Sequence, residues 1–507
     1  MTFEGGQSQS IVAWLFALIL ALIGATGQSA QDAATPAASP VAPAAADCAA
    51  AEPSGLIVYQ ALRESDAAPS GNVIVVEPAT GNVRHRVTVP GTTRVWPTSM
   101  PGRVFVSGEQ DRLHLLDADA GTVTELALPE GDDDYVPTGG AAFSRGQGTR
   151  YMLLSSTQQS QAVLVDLESS TVTDLLALTG ERFVFFGMVS PDDTYAVVTF
   201  DDGAYLIPTA DPAAFRQLGG DSRTGGAVLS PDGSLVAYYR ETGEQGFELI
   251  VEGIDGSNSR VVATHDTPLT GQFAGSSDRI LVRTIDTLLL IDLATGEERE
   301  LLHEYVSAWI VAPDGGNVLV QSGEEVRSES ELGEAWAWID LDTGDTTVNS
   351  ERDDHILIPP SGDPRWVFMV DSLFFGGGSE DGDTIYAFDL TTGDVRALFK
   401  AQPGESYLPP YAANPDGRYA LLYAGLEGSG ARIRLLDSAA GTARVIAEGG
   451  GVSGGAISPD GCWITLETMT EVDGRKSRFI AIQPIAGGAE RPVAENGFQA
   501  IWLASSR

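Results

Sequence analysis

The sequence predicts an all-β protein, a β-propeller of about ten four-stranded repeat units. Three observations carry this reading: two turn motifs that alternate along most of the chain, a spacing between repeats that fits four short strands, and one surplus strand at the C-terminal end.

The first motif reads Pro191-Asp192-Asp193, Pro231-Asp232-Gly233, Pro313-Asp314-Gly315, Pro415-Asp416-Gly417 and Pro459-Asp460-Gly461. Each precedes an apolar run such as Leu235 to Tyr239 or Tyr419 to Tyr423. Proline presets φ near −65°, Asp bonds its own backbone, and Gly takes the positive φ that closes a hairpin with a bulge. The second motif, Asp-x-x-x-Gly, follows strand-like runs at Asp117 to Gly121, Asp292 to Gly296, Asp340 to Gly344, Asp389 to Gly393 and Asp437 to Gly441. Weaker copies fill the gaps, at Glu77 to Gly81, Asp166 to Ser170, Thr209 to Asp211, Asp255-Gly256 and Gly487-Gly488.

The register then steps through positions 81, 121, 170, 211, 256, 296, 344, 393, 441 and 488, at intervals of 40 to 49 residues. Four strands of about five or six residues with their turns need roughly that length, the size of one propeller blade. The first unit holds only three strand candidates, Leu56 to Ala61, Asn72 to Val76 and Val83 to Val89, while Phe498 to Leu503 is left over after the tenth. The last strand is therefore expected to complete the first blade, so that no edge stays open. Two smaller propellers are the alternative packing.

The Ser-Pro-Asp-Gly turn, the apolar strand and the following Asp-x-x-x-Gly resemble the TolB-type propeller repeat, a relative of the WD repeat found in exported bacterial envelope proteins. The resemblance covers roughly residues 55 to 505. It implies the fold and an envelope setting, and it implies no activity, because propellers of this kind include binding scaffolds, peptidase lids and several enzymes. The departure is the count, since about four to eight blades are typical.

The domain plan follows from composition. Ile11 to Ala25 is an apolar run followed by small residues, so residues 1–30 read as a signal peptide, with an uncleaved N-terminal anchor as the alternative. The segment before it, Met1 to Ser10, contains Glu4 and no Lys or Arg. Residues 31–54 are rich in Ala and Pro and cannot bury a core, which makes them a flexible linker. The propeller domain is expected over residues 55–507.

The two cysteines are Cys48, in that linker, and Cys462, after the last Pro-Asp-Gly turn. If the tenth unit lies beside the first, these distant positions become neighbours, and an exported chain would join them as a disulfide. The other reading is two unrelated thiols. Net charge is −40, from 70 acidic and 30 basic residues. Such a surface repels nucleic-acid backbones and anionic lipid alike, and favours a soluble monomer that meets a membrane only through an uncleaved N-terminal segment.

No motif for an organic cofactor is present; calcium is the cofactor the acidic loops allow. One loop holds Glu130, Asp132, Asp133 and Asp134, the other Glu380, Asp381 and Asp383, and calcium takes about six to eight such oxygens. Neither loop has EF-hand spacing, and a solvated turn is the simpler account. Gly451-Val452-Ser453-Gly454-Gly455 matches the nucleophile-elbow pattern, but it lacks a following helix and reads as a linker between blades. The five histidines are scattered, and Asp353-Asp354-His355 is the one close carboxylate-histidine group. No catalytic residue is assigned.

Aromatic residues recur at or before blade entrances: Trp96, Phe186, Trp309, Tyr407, Tyr411 and Trp502 are candidates for a ligand platform, with packing between blades as their other role. The functional expectation is a non-enzymatic extracellular or envelope binding scaffold whose loops and channel take a protein, peptide or glycan. The alternative is a propeller enzyme of hydrolase or lyase type with dispersed channel residues.

Overall fold

The computed structural model describes residues 48 and 51–504, except 63–68, 93, 110–111, 130–134, 138–148, 157–160, 181–183, 202, 221, 244–245, 324–333, 351–354, 358–364, 371–383, 403–404, 408–409, 415–416, 427–429 and 473–474. The expected leader and most of the linker lie outside these residues, as do both acidic loops. The chain is all-β: ten antiparallel sheets, nine of four strands and one of five, are the blades of a ten-bladed β-propeller. A short α-helix, Leu175–Thr179, is capped at its start by the Asp174 carboxylate, which accepts from Ala177 N.

Two compact units divide the chain. One comprises Pro129–Asp166 and Val172–Arg352; it carries the third to seventh sheets, whose first strands are Tyr135–Pro137, Val184–Val189, Thr224–Leu229, Thr270–Phe273 and Tyr305–Val311. The other comprises Ala38–Leu128, Leu167–Thr171 and Asp353–Arg507. Its five sheets begin with Gly497–Leu503, Arg94–Pro97, His355–Leu357, Glu405–Tyr407 and Val452–Gly454. Val452–Gly454 corrects one expectation: this segment is the first strand of the tenth sheet and not a linker. Alternation is the reason. Val452 is buried, and it pairs with Thr468 across the sheet.

The turn chemistry explains why the repeats close where they do. In three of the Ser-Pro-Asp turns the serine hydroxyl donates to the aspartate, at 2.6 Å for Ser190 to Asp192, 2.7 Å for Ser230 to Asp232 and 2.5 Å for Ser458 to Asp460. The same hydroxyls accept from Tyr195 N, Leu235 N and Trp463 N, locking the start of the second strand. Burial opposes ionisation of Asp232, but hydrogen bonds from Ser277, Ser234 and Ser230 outweigh it and bring the carboxyl down to about 2. Asp193 occupies the left-handed position that Gly233 fills in the next repeat, at φ +61° against +69°. Its carboxylate offsets that strain by accepting from Arg150 N and Tyr151 N of the preceding sheet.

In the Asp-x-x-x-Gly turns, Asp292 Oδ1 accepts from Ala294 N and Thr295 N, and Asp340 Oδ1 accepts from Asp342 N and Thr343 N. Gly296 and Gly344 then turn the chain at φ +74° and +80°.

The surplus C-terminal strand completes the first sheet as expected, in the order Asn82–Thr88, Pro69–Glu77, Leu56–Leu62, Gly497–Leu503. Leu56 faces Leu503 and Ile57 faces Trp502, before a register shift between Val58 and Gln60. The sheets pack through apolar clusters shared by neighbours. Ile57, Ile464, Leu466 and Trp502 meet in one of them, and Leu281, Val306, Trp309 and Val320 in another.

Candidate functional site

The structure places all six platform aromatics in or next to first strands, and their surroundings separate them. Trp502 is a structural anchor: its indole Nε1 donates to Ser54 O at 2.7 Å, beside Ser54 Oγ to Asp460 at 2.7 Å. Trp96 packs against Phe105 with ring centroids 6.1 Å apart, and its sealed Nε1 has no hydrogen-bond partner among the described residues. Trp309 is buried with its Nε1 likewise unpartnered. Tyr411 donates its backbone N–H to Leu421 O, yet its hydroxyl is sealed without a partner. Burial pushes that hydroxyl far above the tyrosine range, and the charges of Glu467 and Tyr423 add to the shift. Glu467 is itself buried and accepts from Ala500 N at 2.6 Å. Phe186 lies opposite Thr199 and Tyr407 opposite Ala424 in their sheets.

Several buried charges among the described residues are paired. Glu405, 2% exposed, holds both Arg432 and Arg434, and Arg434 lies over the Phe399 ring at 4.4 Å. Glu252, 5% exposed, accepts from Arg216 at 2.5 Å and from the Tyr238 hydroxyl at 3.2 Å. Arg150 grips Asp166 through Nε and Nη2 at 2.9 and 2.6 Å, and Arg365 grips Asp389 through the same edge.

Arg283 is buried without such a pairing. It ends the strand Arg279–Arg283, is 5% exposed, and makes one hydrogen bond, from Nη1 to Val306 O at 3.0 Å. Its guanidinium carbon sits 5.1 Å from the centroid of Trp309. No carboxylate pairs with it among the described residues, and burial holds its pKa below the ordinary arginine value, with only Tyr305 opposing. Thr270 stands directly across the sheet from Arg283, so the two side chains share a face, and the Thr270 hydroxyl, like Trp309 Nε1, is sealed without a hydrogen-bond partner among the described residues.

A second set of residues missed by the sequence reading ties blade to blade. Arg260, Arg299, Arg396 and Arg444, each on a fourth strand, donate to Leu293 O, Leu341 O, Ala439 O and Ile485 O of the next sheet. Arg84 donates to the Asp119 carboxylate, and His85 Nε2 lies 3.0 Å from Asp119 O. The signal was a Gly-x-x-Arg spacing at Gly81 to Arg84, Gly296 to Arg299, Gly393 to Arg396, Gly441 to Arg444 and Gly488 to Arg491. Arg491 departs from the pattern and lies over Trp463 at 4.5 Å.

The structure joins Cys48 to Cys462 by a disulfide, with both sulfurs buried. Asp132, Asp133, Asp134, Asp381 and Asp383 lie outside the described residues, as do Asp353 and Asp354. Among the described residues no cluster of three His, Cys, Asp or Glu side chains has metal-binding geometry.

No family model matches the chain, and no curated protein matches it. Solved structures do. A eukaryotic initiation factor is similar at 12% identity and a TM-score of 0.45, over 89% of this chain and 98% of that one. Dipeptidyl peptidase 4 of Porphyromonas gingivalis is similar at 13% identity and a TM-score of 0.45, over 79% of this chain and 59% of that one. A TolB-like protein of Agrobacterium tumefaciens is similar at 18% identity and a TM-score of 0.29, over 43% of this chain and 81% of that one. At such identities the likeness concerns the propeller fold, and none of these proteins' activities passes to this chain.

Proposed function

We propose that the protein is an exported, non-enzymatic binding scaffold built from TolB-type repeats, whose first-strand aromatic residues receive a peptide, protein or glycan. The observation that carries this reading is the set of unpartnered polar tips on those residues: Trp96 Nε1, Trp309 Nε1 and the Tyr411 hydroxyl, each in its own sheet. Buried polar atoms find partners in more than about nine cases in ten, so these sealed tips are unsatisfied donors that a ligand's oxygens would satisfy if the surrounding side chains gave way to it. The buried disulfide fits an oxidising compartment.

The experiment is a glycan and peptide array probed with the mature chain and with Trp96→Phe, Trp309→Phe and Tyr411→Phe, which keep the rings and remove the tips. Loss of a defined ligand class in one variant, with its melting temperature unchanged, supports the scaffold. Undiminished binding in all three removes these residues from it. The enzyme reading draws on two buried groups whose charges interact, the Tyr411 hydroxyl and the Glu467 carboxylate. Time-dependent cleavage of an array ligand, abolished by Glu467→Gln, would replace the scaffold with that reading.

A further inference from the structure

We propose that Arg283 is the receptor for a ligand carboxylate. This rests on the binding-scaffold reading and names the chemistry one of its sites takes.

Leaving a charge buried without a counter-charge costs several kcal/mol, which proteins avoid by pairing it. This chain has 70 acidic side chains to draw on: it pairs the other buried arginine among the described residues, Arg434, with Glu405, and the less buried Arg150, Arg365 and Arg432 also hold carboxylates. At Arg283 the neighbouring elements instead supply a neutral carbonyl, an indole face and a threonine hydroxyl. The guanidinium is held firmly: Val306 O takes Nη1 and Trp309 lies against the plane. Among the described residues nothing takes the Nε and Nη2 edge. In this same molecule that edge is the one that binds the Asp166 and Asp389 carboxylates, through two near-parallel hydrogen bonds. A planar two-oxygen acceptor fits it, and Thr270 adds a hydroxyl on the same face. Carboxylate is favoured over phosphate because one cation balances one carboxylate, whereas a phosphate dianion would stay undercompensated in a site that Trp309 makes apolar.

The carboxylate can come from an acidic sugar or from the C-terminus of a peptide, and the test separates them. The full mature chain is titrated with glucuronate, with an acetylated dipeptide bearing a free C-terminus, with its C-terminal amide and with inorganic phosphate, following tryptophan fluorescence and melting temperature. Wild type should respond to one of the two carboxylates, should ignore the amide, and should lose affinity by about tenfold or more in Arg283→Met. Arg283→Met should melt no lower than wild type, since it removes an unpaired buried charge; a merely structural arginine would predict the reverse. Arg283→Lys retains charge without the fork and should bind more weakly than wild type.

A response that survives in Arg283→Met, equal affinity for phosphate, or no response to either carboxylate overturns the assignment. An array ligand that binds Arg283→Met undiminished leaves the scaffold standing and removes only this site.

Discussion

Removing the Cys48–Cys462 disulfide tests how the chain's ends are held. The bond spans 414 residues, and Cys48 precedes the segment in which Ser54 meets Asp460 and Trp502. In the chain-entropy picture a loop that long removes about 20 cal/mol/K from the unfolded ensemble, or about 6 kcal/mol at 25 °C, while measured disulfides deliver about 2–5 kcal/mol. A domain of about 450 residues unfolds with an entropy near 0.95 kcal/mol/K, so a loss of 2–5 kcal/mol lowers the melting temperature by about 2–5 °C. The assay is scanning calorimetry of wild type and of Cys48→Ala/Cys462→Ala, with thiol labelling of the wild type before and after denaturation in the absence of reductant. Both sulfurs are buried, 1% and 5% exposed by residue, so reductant should act slowly on the native protein and fast on the denatured one. A double variant that melts with wild type within about 1 °C would refute the reasoning, because it would mean that the closure entropy is already absent from the unfolded chain.

Deleting residues 497–507 should strip the first sheet of its fourth strand, leave the Leu56–Leu62 edge unpaired, and lower the melting temperature by many degrees; an unchanged calorimetric transition would defeat the closure. Arg299→Met removes the donors to Leu341 O and Asp342 O, and at about 1.5–3 kcal/mol for a charged hydrogen bond the melt should fall by about 2–3 °C, with no change refuting the clamp. Tyr238 is pushed up to about 12, by burial first and then by the charge and hydrogen bond of Glu252. The native state therefore keeps a proton that the unfolded chain releases near 10, so this residue's stability is whole below pH 10 and declines by about 2–3 kcal/mol as pH rises through 12. Denaturant titrations at pH 9.5 and 11.5 should show a smaller decline in Tyr238→Phe, and equal declines would remove the assignment.

What could be read from the sequence was what depends on neighbours in the chain. Pro191-Asp192 and Asp292 to Gly296 announce turns because φ and the aspartate's own hydrogen bonds decide them within five residues. The spacing of such turns counts blades, and the count exposes the surplus strand Phe498 to Leu503, whose pairing then follows from the cost of an open edge. The Gly-x-x-Arg step was equally local, yet its meaning was not. Only when Arg299 and Leu341 are brought together from sheets 42 residues apart in sequence does the arginine acquire a carbonyl to bind.

Arg283 shows why the site is harder to read than the fold. In the sequence Arg279 and Arg283 are alike, two arginines bounding one apolar strand. In the structure Arg279 reaches Asp342 at 2.6 Å, while Arg283, four residues on, meets Val306 O and Trp309. Both contacts come from the following sheet, so the difference is created by how that sheet packs against the Arg279–Arg283 strand. Pairing is a property of the assembled neighbourhood, and so is its failure. At Arg279 the described residues place an acid opposite the guanidinium and at Arg283 they place a carbonyl and an indole, which is why Arg283 is the position where a ligand carboxylate is proposed.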